Sequence, residues 1–264
     1  MKDLILITGA STGIGYEMAR QLAAQNKNLI LVARSAEKLM ALQQQLTGQY
    51  DIEIYVFPTD LSNPQHAIAL YGQIKNADLK VTMLVNNAGI GSYGHFTQMP
   101  LKTDLDMIGL NISSLVALTK LFGDDMKKQG YGRIMNVASL LWFVPFPYYS
   151  VYSATKCFVL AFSETLAAEL EDSGVVVTAL CPGPIDTPFT TPQMLATNAY
   201  KTNKPVNPET VAKAGINLLL NGRGKKIVGF NNWFIAQLPR ITPGFIMIKI
   251  KKLLAFPNQS ISNA

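Results

Sequence analysis

Short, unbroken runs of Val, Ile and Leu recur along this chain, separated by segments of helical period. They fall at 4–7, 28–33, 52–57, 81–86, 133–138, 175–181 and 226–229. None alternates apolar with polar side chains, so both faces are expected to be covered, as in a parallel sheet layered with helices. Helical patterns lie between them at 14–25, 36–46, 64–77, 101–129 (broken near Gly109), 153–171 and 208–220. Repeated strand–helix units with short links indicate a single doubly wound α/β domain over 1–264. One long irregular stretch, 182–208, follows a strand and is rich in Pro and Thr. A loop of that length in a compact domain is usually functional, and 184–204 is expected to be a substrate lid.

Composition removes several classes. At 48% hydrophobic and 15% charged residues the chain is globular, not disordered. Its two cysteines, Cys157 and Cys181, exclude a disulfide scaffold, and two histidines, His66 and His95, are too few for most His-based metal sites. No metal is therefore expected. The N-terminal run ends in Gly9 and reads as a first buried strand rather than a secretory signal. No stretch is expected to be apolar over the length of a bilayer, the longest candidate, 137–152, being interrupted by Pro145 and Pro147. A cytoplasmic location with reduced thiols is the expectation. Charge is uneven: residues 201–264 hold ten Lys/Arg and one acid, Glu209, a net +9, against a net −3 for residues 1–200.

The first strand runs into Thr8-Gly9-Ala10-Ser11-Thr12-Gly13-Ile14-Gly15, which opens the first helix. Glycines there let the backbone turn tightly and approach a pyrophosphate, while the helix N-terminus offers free N–H groups and a positive dipole end. A plain strand–helix turn is the alternative. The second strand ends in Ala33-Arg34-Ser35, without the acid that binds a ribose 2′-hydroxyl. Arg34 suits a 2′-phosphate, which favours NADP over NAD, unless it is merely a solvated loop residue. Asp60-Leu61 and Asn86-Asn87-Ala88-Gly89 follow the third and fourth strands, at the ends where ligands bind in open α/β sheets, and the second of these either lines a cofactor or only braces the central strand. Asp60 suits the adenine amine or the cap of the next helix, a place Ser62 also fits.

Tyr152 and Lys156 stand at i and i+4, which on a helix puts both on one face. A lysine ammonium beside a phenol favours phenolate, and such a tyrosine can act as general acid or base on a carbonyl or alcohol. Ser139 ends the fifth strand and is placed to hydrogen-bond the reacting oxygen. Asn111 sits in a long helix, where a buried amide needs partners and a water-binding role is plausible.

Taken together these residues resemble the short-chain dehydrogenases/reductases over roughly residues 2–230. The carriers are Thr8-Gly9-x3-Gly13-Ile14-Gly15, Asp60, Asn86 to Gly89, Asn111, Ser139, Tyr152-x3-Lys156, and Pro182-Gly183 with Thr187. The resemblance implies a Rossmann-like domain with a seven-stranded parallel sheet and a tetrad of Asn111, Ser139, Tyr152 and Lys156. Tyr152 would pass a proton to the carbonyl, Ser139 would polarise it, and Lys156 would lower the Tyr152 pKa and bind the nicotinamide ribose. Asn111 would hold a water linking Lys156 to solvent. Thr8, Gly9, Ser11, Thr12, Gly13, Ile14, Gly15, Arg34, Asp60, Leu61, Asn87, Ala88, Gly89, Pro182, Gly183 and Thr187 would complete the NADP site. Ser11 and Thr12 stand where many NADP-using members carry a base. The family also commonly forms homodimers or homotetramers through two long helices, here near 110–129 and 153–171.

The segment 140–149 between Ser139 and Tyr152 is apolar and aromatic, suited to a hydrophobic carbonyl substrate or equally to core or subunit packing. Tyr148, four residues before Tyr152, is a candidate to face that pocket, whereas His95 is taken as structural. Residues 231–264 form a basic C-terminal extension, amphipathic over 244–256, where Ile246, Met247, Ile250, Leu253 and Leu254 gather on one side. Such a helix covers a core or a second subunit, the favoured reading, or makes a weak contact with an anionic membrane surface. No aromatic–basic module accompanies the charge, so nucleic acid is not expected as a partner. The sequence thus indicates an NADP(H)-dependent oxidoreductase interconverting a ketone and a secondary alcohol on an apolar, 3-oxoacyl or steroid-like substrate. A cofactor-binding scaffold without turnover is the alternative.

Overall fold

A computed structural model describes residues 3–140 and 146–256. Seven parallel strands form one sheet in the order β3-β2-β1-β4-β5-β6-β7. They are β1 Leu4–Thr8, β2 Asn28–Ala33, β3 Ile54–Pro58, β4 Val81–Asn86, β5 Gly132–Val137, β6 Val175–Cys181 and β7 Gly224–Ile227. The strand side chains point alternately into two apolar layers. Ile5 and Ile7 pack on α1 (Gly13–Ala23), α2 (Ala36–Thr47) and α9 (Pro208–Asn221). Leu4 and Leu6 share the other layer with α3 (Pro64–Asn76) and with Leu118, Phe122 and Met126 of α5 (Leu115–Gln129). Both sets are buried, which is why the runs show no polar alternation. Truncating a fully buried side chain such as Leu6 is expected to cost about 2–5 kcal/mol.

Helix starts carry local signals. Asn63 caps α3 by accepting from Gln65 N at 3.0 Å, with Pro64 at the first helical position, and Asn207 and Pro208 do the same for α9. Neither Asp60 nor Ser62 is therefore the cap of α3; Asp60 instead accepts from Ser62 N at 3.0 Å in a turn.

The helical stretch expected to break near Gly109 does not break. α4 (Leu101–Ile108) passes through a π-helical turn, Gly109–Ser114, into α5. The result, Leu101–Gln129, is long and apolar enough by length and composition to cross a membrane, contrary to the sequence expectation. Here it lies against the sheet. A π turn widens one loop of the helix and redirects its side chains, and such turns are frequent at functional sites.

Three further differences concern the C-terminal half. α6 runs Ser150–Glu169, starting earlier than expected. The supposed irregular lid contains α7 (Pro192–Leu195), capped by Thr191, and α8 (Asn198–Thr202), and its base is tied by a parallel bridge of Ile185 with Val206. α10 (Phe230–Ile241), which holds Pro239 inside it, is a helix beyond those expected from the sequence. α11 (Gly244–Ala255) forms where amphipathic spacing placed it. Residues 141–145 of the aromatic segment lie outside the described residues.

Candidate active site

Strand order reverses between β2-β1 and β1-β4, which opens a crevice at the C-terminal ends of these strands. A cavity of about 530 Å³ occupies it. Every residue expected at the cofactor lines this cavity except Thr8 and Gly15. Those two shape the turn instead. Thr8 Oγ1 donates to the Val85 carbonyl at 3.2 Å and accepts from the N–H groups of Asn87 and Ala88, both at 3.0 Å. This buried hydroxyl fixes the end of β1 against the end of β4. A Cβ on Gly15 would lie 2.4 Å from the Gly9 carbonyl oxygen, so only glycine lets the helix start against the turn. Gly9 has φ +67° and a Cβ there would fall 2.8 Å from Asn87 Nδ2. Asn87 Nδ2 in turn donates to the Thr8 carbonyl at 2.9 Å.

One end of the cavity is cationic. Arg34, just before the Ser35 cap of α2, is exposed there, and Lys38 from the first turn of α2 joins it. Lys38 was not among the residues expected at the site, since Arg34 precedes the Ser35 cap and no helical spacing links the two. Ser35 aims this turn by accepting from Lys38 N at 3.3 Å. Asp60 lies close enough to feel Arg34, and its carboxyl is held below the usual range chiefly by the Ser62 backbone N–H.

At the other end stand Ser139, Tyr152 and Lys156. Tyr152 is buried, and burial raises its phenol pKa, while a hydrogen bond from the Ser139 hydroxyl acts in the opposite direction. Lys156 Nζ donates to the Val137 carbonyl at 2.7 Å and lies 5.9 Å from the centre of the Tyr152 ring. Burial pushes the ammonium down to about 8. The phenol is thus dominated by desolvation here, not by the lysine charge expected from i,i+4 adjacency. Asn111 sits on the π turn and does not line the cavity. Its Oδ1 accepts from Ile90 N at 3.0 Å, and its Nδ2 donates to the Ile90 carbonyl at 2.9 Å and Thr155 Oγ1 at 3.1 Å. The amide therefore ties the segment after β4 to α6, one residue from Lys156.

Apolar and aromatic groups enclose the space above Tyr152. Phe189 stacks obliquely on its ring at 5.5 Å, and Tyr149, Met194 and Tyr200 pack nearby. Tyr149, not Tyr148, faces the cavity. α6 begins at Ser150, so helical spacing from Tyr152 does not reach back to 148. Tyr148 adopts φ +67° and packs with Tyr93, His95 and Phe256. The remaining wall comes from Ile235 and Leu238 of α10 and Met247, Ile250 and Leu254 of α11. Periodicity had located α11, but not which element its apolar side meets.

A dinucleotide-sized cleft at the switch point, with a buried Tyr–Lys pair and a serine at its floor, defines a nucleotide-dependent oxidoreductase. The sequence model of the short chain dehydrogenase family matches residues 3–197, and the chain belongs to this family. It is 32% identical over 264 residues to the very-long-chain 3-oxoacyl-CoA reductase of Anas platyrhynchos, covering 94% of this chain and 79% of that protein. It is 33% identical to the 17-beta-hydroxysteroid dehydrogenase type 3 of Mus musculus, over 72% of this chain and 62% of the mouse protein. Among solved structures, a short-chain dehydrogenase from Sphingobium yanoikuyae in complex with NADPH superposes with TM-score 0.79 at 28% identity, covering 90% of this chain and 93% of that one.

Proposed function

We propose that this protein is an NADP(H)-dependent oxidoreductase that interconverts a ketone and a secondary alcohol on an apolar substrate. The observation that carries the reading is that Ser139, Tyr152 and Lys156 line one cavity that is cationic at one end and aromatic at the other. The turn fits a dinucleotide: Gly9, Ser11, Thr12, Gly13 and Ile14 line the cavity at the start of α1, where free backbone N–H groups suit a pyrophosphate. Gly9, Ser11, Thr12, Gly13 and Ile14 would hold the diphosphate, Asp60 and Leu61 the adenine, and Arg34 with Lys38 a 2′-phosphate. Asn87, Ala88, Gly89, Pro182, Gly183 and Thr187 would flank the nicotinamide riboside. A bound nicotinamide supplies hydride chemistry.

The chain's own part is proton transfer and orientation. In the reducing direction Tyr152 gives its phenolic proton to the carbonyl oxygen, and Ser139 donates a hydrogen bond to the same oxygen. In the oxidising direction Tyr152 accepts the alcohol proton. Lys156, held by the Val137 carbonyl, supplies positive charge beside the phenol as it loses its proton. Asn111 acts through Ile90 and Thr155 as a positioning residue. Phe189, Tyr149, Met194 and the α10–α11 wall exclude water from the reacting centre and suit a 3-oxoacyl or steroid-like compound. The acyl and steroid substrates named for the duck and mouse relatives support this class.

Two companion proposals follow. A cytoplasmic location is proposed on the cysteine content, two residues that make no disulfide framework. Homodimers or homotetramers through α4–α5 and α6 are supported by exposed Leu101, Leu105 and Phe158 on these helices, Phe158 being stacked on Phe162 at 5.7 Å. Light scattering of the purified protein tests the second.

Fluorescence titration with NADPH and NADH, followed by turnover of hydrophobic ketones and 3-oxoacyl thioesters, tests the function. Tight NADPH binding with turnover is expected. Binding of neither nucleotide would remove the catalytic assignment, and binding without turnover on any ketone would favour the scaffold reading.

A further inference from the structure

The two C-terminal helices carry opposite uses on their two sides. Inward, α10 and α11 wall the cavity. Outward, Phe230, Trp233 and Phe234 of α10 and Phe245, Ile248 and Leu253 of α11 are exposed, with Phe230 at 77%, Phe245 at 68% and Leu253 at 67% of their full accessibility. Among the described residues, nine of the eighteen large hydrophobic side chains left exposed fall within 230–256. Scattered exposed apolar residues need no explanation, but such a concentration on two consecutive helices marks an interaction surface.

Charge decides the partner. Residues 210–264 contain eight Lys and Arg and no Asp or Glu. Lys249 and Lys252 are exposed on α11 among the apolar residues, while Lys251 is partly buried beside Cys157. A second copy joined through this face by a two-fold axis would set the same acid-free segment against itself, like charge on like charge. An anionic bilayer offers the complement on both counts. Headgroups meet Lys249 and Lys252, and the interfacial layer accepts Phe and Trp rings.

We propose that the outward face of α10 and α11 docks this protein on an anionic lipid bilayer surface. The contact is peripheral: two helices of twelve residues each lie along the interface and neither is long enough to span it. The helices whose outer side meets lipid are those whose inner side walls the cavity. The docking itself does not depend on the catalytic reading, and vesicle binding is measured without turnover.

The test is flotation of the full-length protein with phosphatidylcholine vesicles, with and without phosphatidylserine. Binding to the phosphatidylserine vesicles at least about tenfold above the neutral ones, weakening as salt shortens the screening length, is expected. Lys249→Glu with Lys252→Glu should lower that binding about tenfold or more, and Phe234→Ser with Phe245→Ser and Ile248→Ser should abolish it. Neither set lines the cavity, so NADPH titration in vesicle-free buffer should be unchanged and also reports that the variants are folded. Equal or absent binding of the wild-type protein to the two vesicle types overturns the proposal without any variant. So does an apolar variant that still binds vesicles, or one that loses oligomeric mass in vesicle-free buffer, which would assign the face to a second copy.

Discussion

Asn111 and Ile90 are joined by both ends of one amide: Asn111 Oδ1 accepts the Ile90 N–H at 3.0 Å and Asn111 Nδ2 donates to the Ile90 carbonyl at 2.9 Å. A backbone segment in non-repetitive structure is thereby satisfied as a strand neighbour would satisfy it. The third bond, to Thr155 Oγ1, carries that position to α6. Asn111→Leu strands both Ile90 groups and should cost about 2–6 kcal/mol, each partly buried unpaired group costing roughly 1–3. Urea unfolding measures this. Turnover should fall with it, since Lys156 follows Thr155 directly, whereas NADPH affinity should change less than kcat.

Tyr152→Phe removes the phenolic proton donor and keeps the ring against Phe189. A positioned acid contributes about 10²–10⁴ in rate, so kcat should fall by that range. NADPH affinity should stay within a few-fold of wild type, because the loss is a proton and not a surface. Retained turnover would count against Tyr152 as the acid.

Lys156 makes stability depend on pH. Its ammonium is pushed down to about 8 by burial, against 10.5 as the ordinary value. Between these values the unfolded chain binds the proton and the folded chain does not, so unfolding takes up a proton and stability rises with pH. Below about pH 8 both states are protonated and the full penalty of the buried charge is present. From about pH 7 to pH 9.5 the urea midpoint of the wild-type protein should therefore rise relative to that of Lys156→Met. The upper limit stays below the ordinary tyrosine range, because the raised Tyr152 works in the opposite direction there. A parallel pH response of the two proteins would show that Lys156 is not depressed.

Much of this was legible in the sequence because it is local. Unbroken apolar runs such as Leu29 to Val32 report burial on two faces, and the glycine turn reports its own φ values and close contacts. What was not legible is what depends on elements distant in the chain. Lys156 reaches the Val137 carbonyl, a choice made by the packing of α6 on β5. The i,i+4 spacing to Tyr152 is silent about it. Asn111 was placed mid-helix, but the π turn that aims its amide at Ile90 leaves no periodicity signal. α10 holds Pro239, a breaker by local rules that is tolerated inside the helix here by context. The apolar stripe of α11 was plain, yet only the fold turns Met247, Ile250 and Leu254 to the cavity and leaves Phe245 and Leu253 outside.

On the proposed NADP(H) reading, Arg34 and Lys38 would divide the recognition of a 2′-phosphate. Both are exposed, so each is expected to contribute modestly, and the fork of Arg34 more than the point charge of Lys38. Arg34→Ala should weaken NADPH about tenfold or more and leave NADH nearly unchanged, each 1.4 kcal/mol lost being tenfold. Lys38→Ala should have a smaller effect in the same direction. Titration of both nucleotides against both variants checks this, and an equal loss for NADPH and NADH would assign the cations to the shared diphosphate.

Tyr93 fastens the far end of the pocket wall. Its hydroxyl donates to the Ala255 carbonyl at 2.7 Å, one of the last carbonyls of α11 and therefore without a partner inside the helix. Asn198 of α8 adds a second tie, donating from Nδ2 to the Leu253 carbonyl at 2.9 Å. Tyr93→Phe keeps the ring packing on Tyr148 and Tyr149 and removes one hydrogen bond, about 1 kcal/mol. Opening of α11 should then be severalfold more frequent. Two readouts follow from the position of Met247, Ile250 and Leu254 on the cavity. KM for a bulky apolar ketone should rise severalfold with kcat for a small ketone unchanged, and trypsin should cut at Lys249, Lys251 and Lys252 faster in native buffer. If digestion accelerates while KM stays constant, α11 is only a cover for the domain; if both move together, its inner face takes part in holding the substrate.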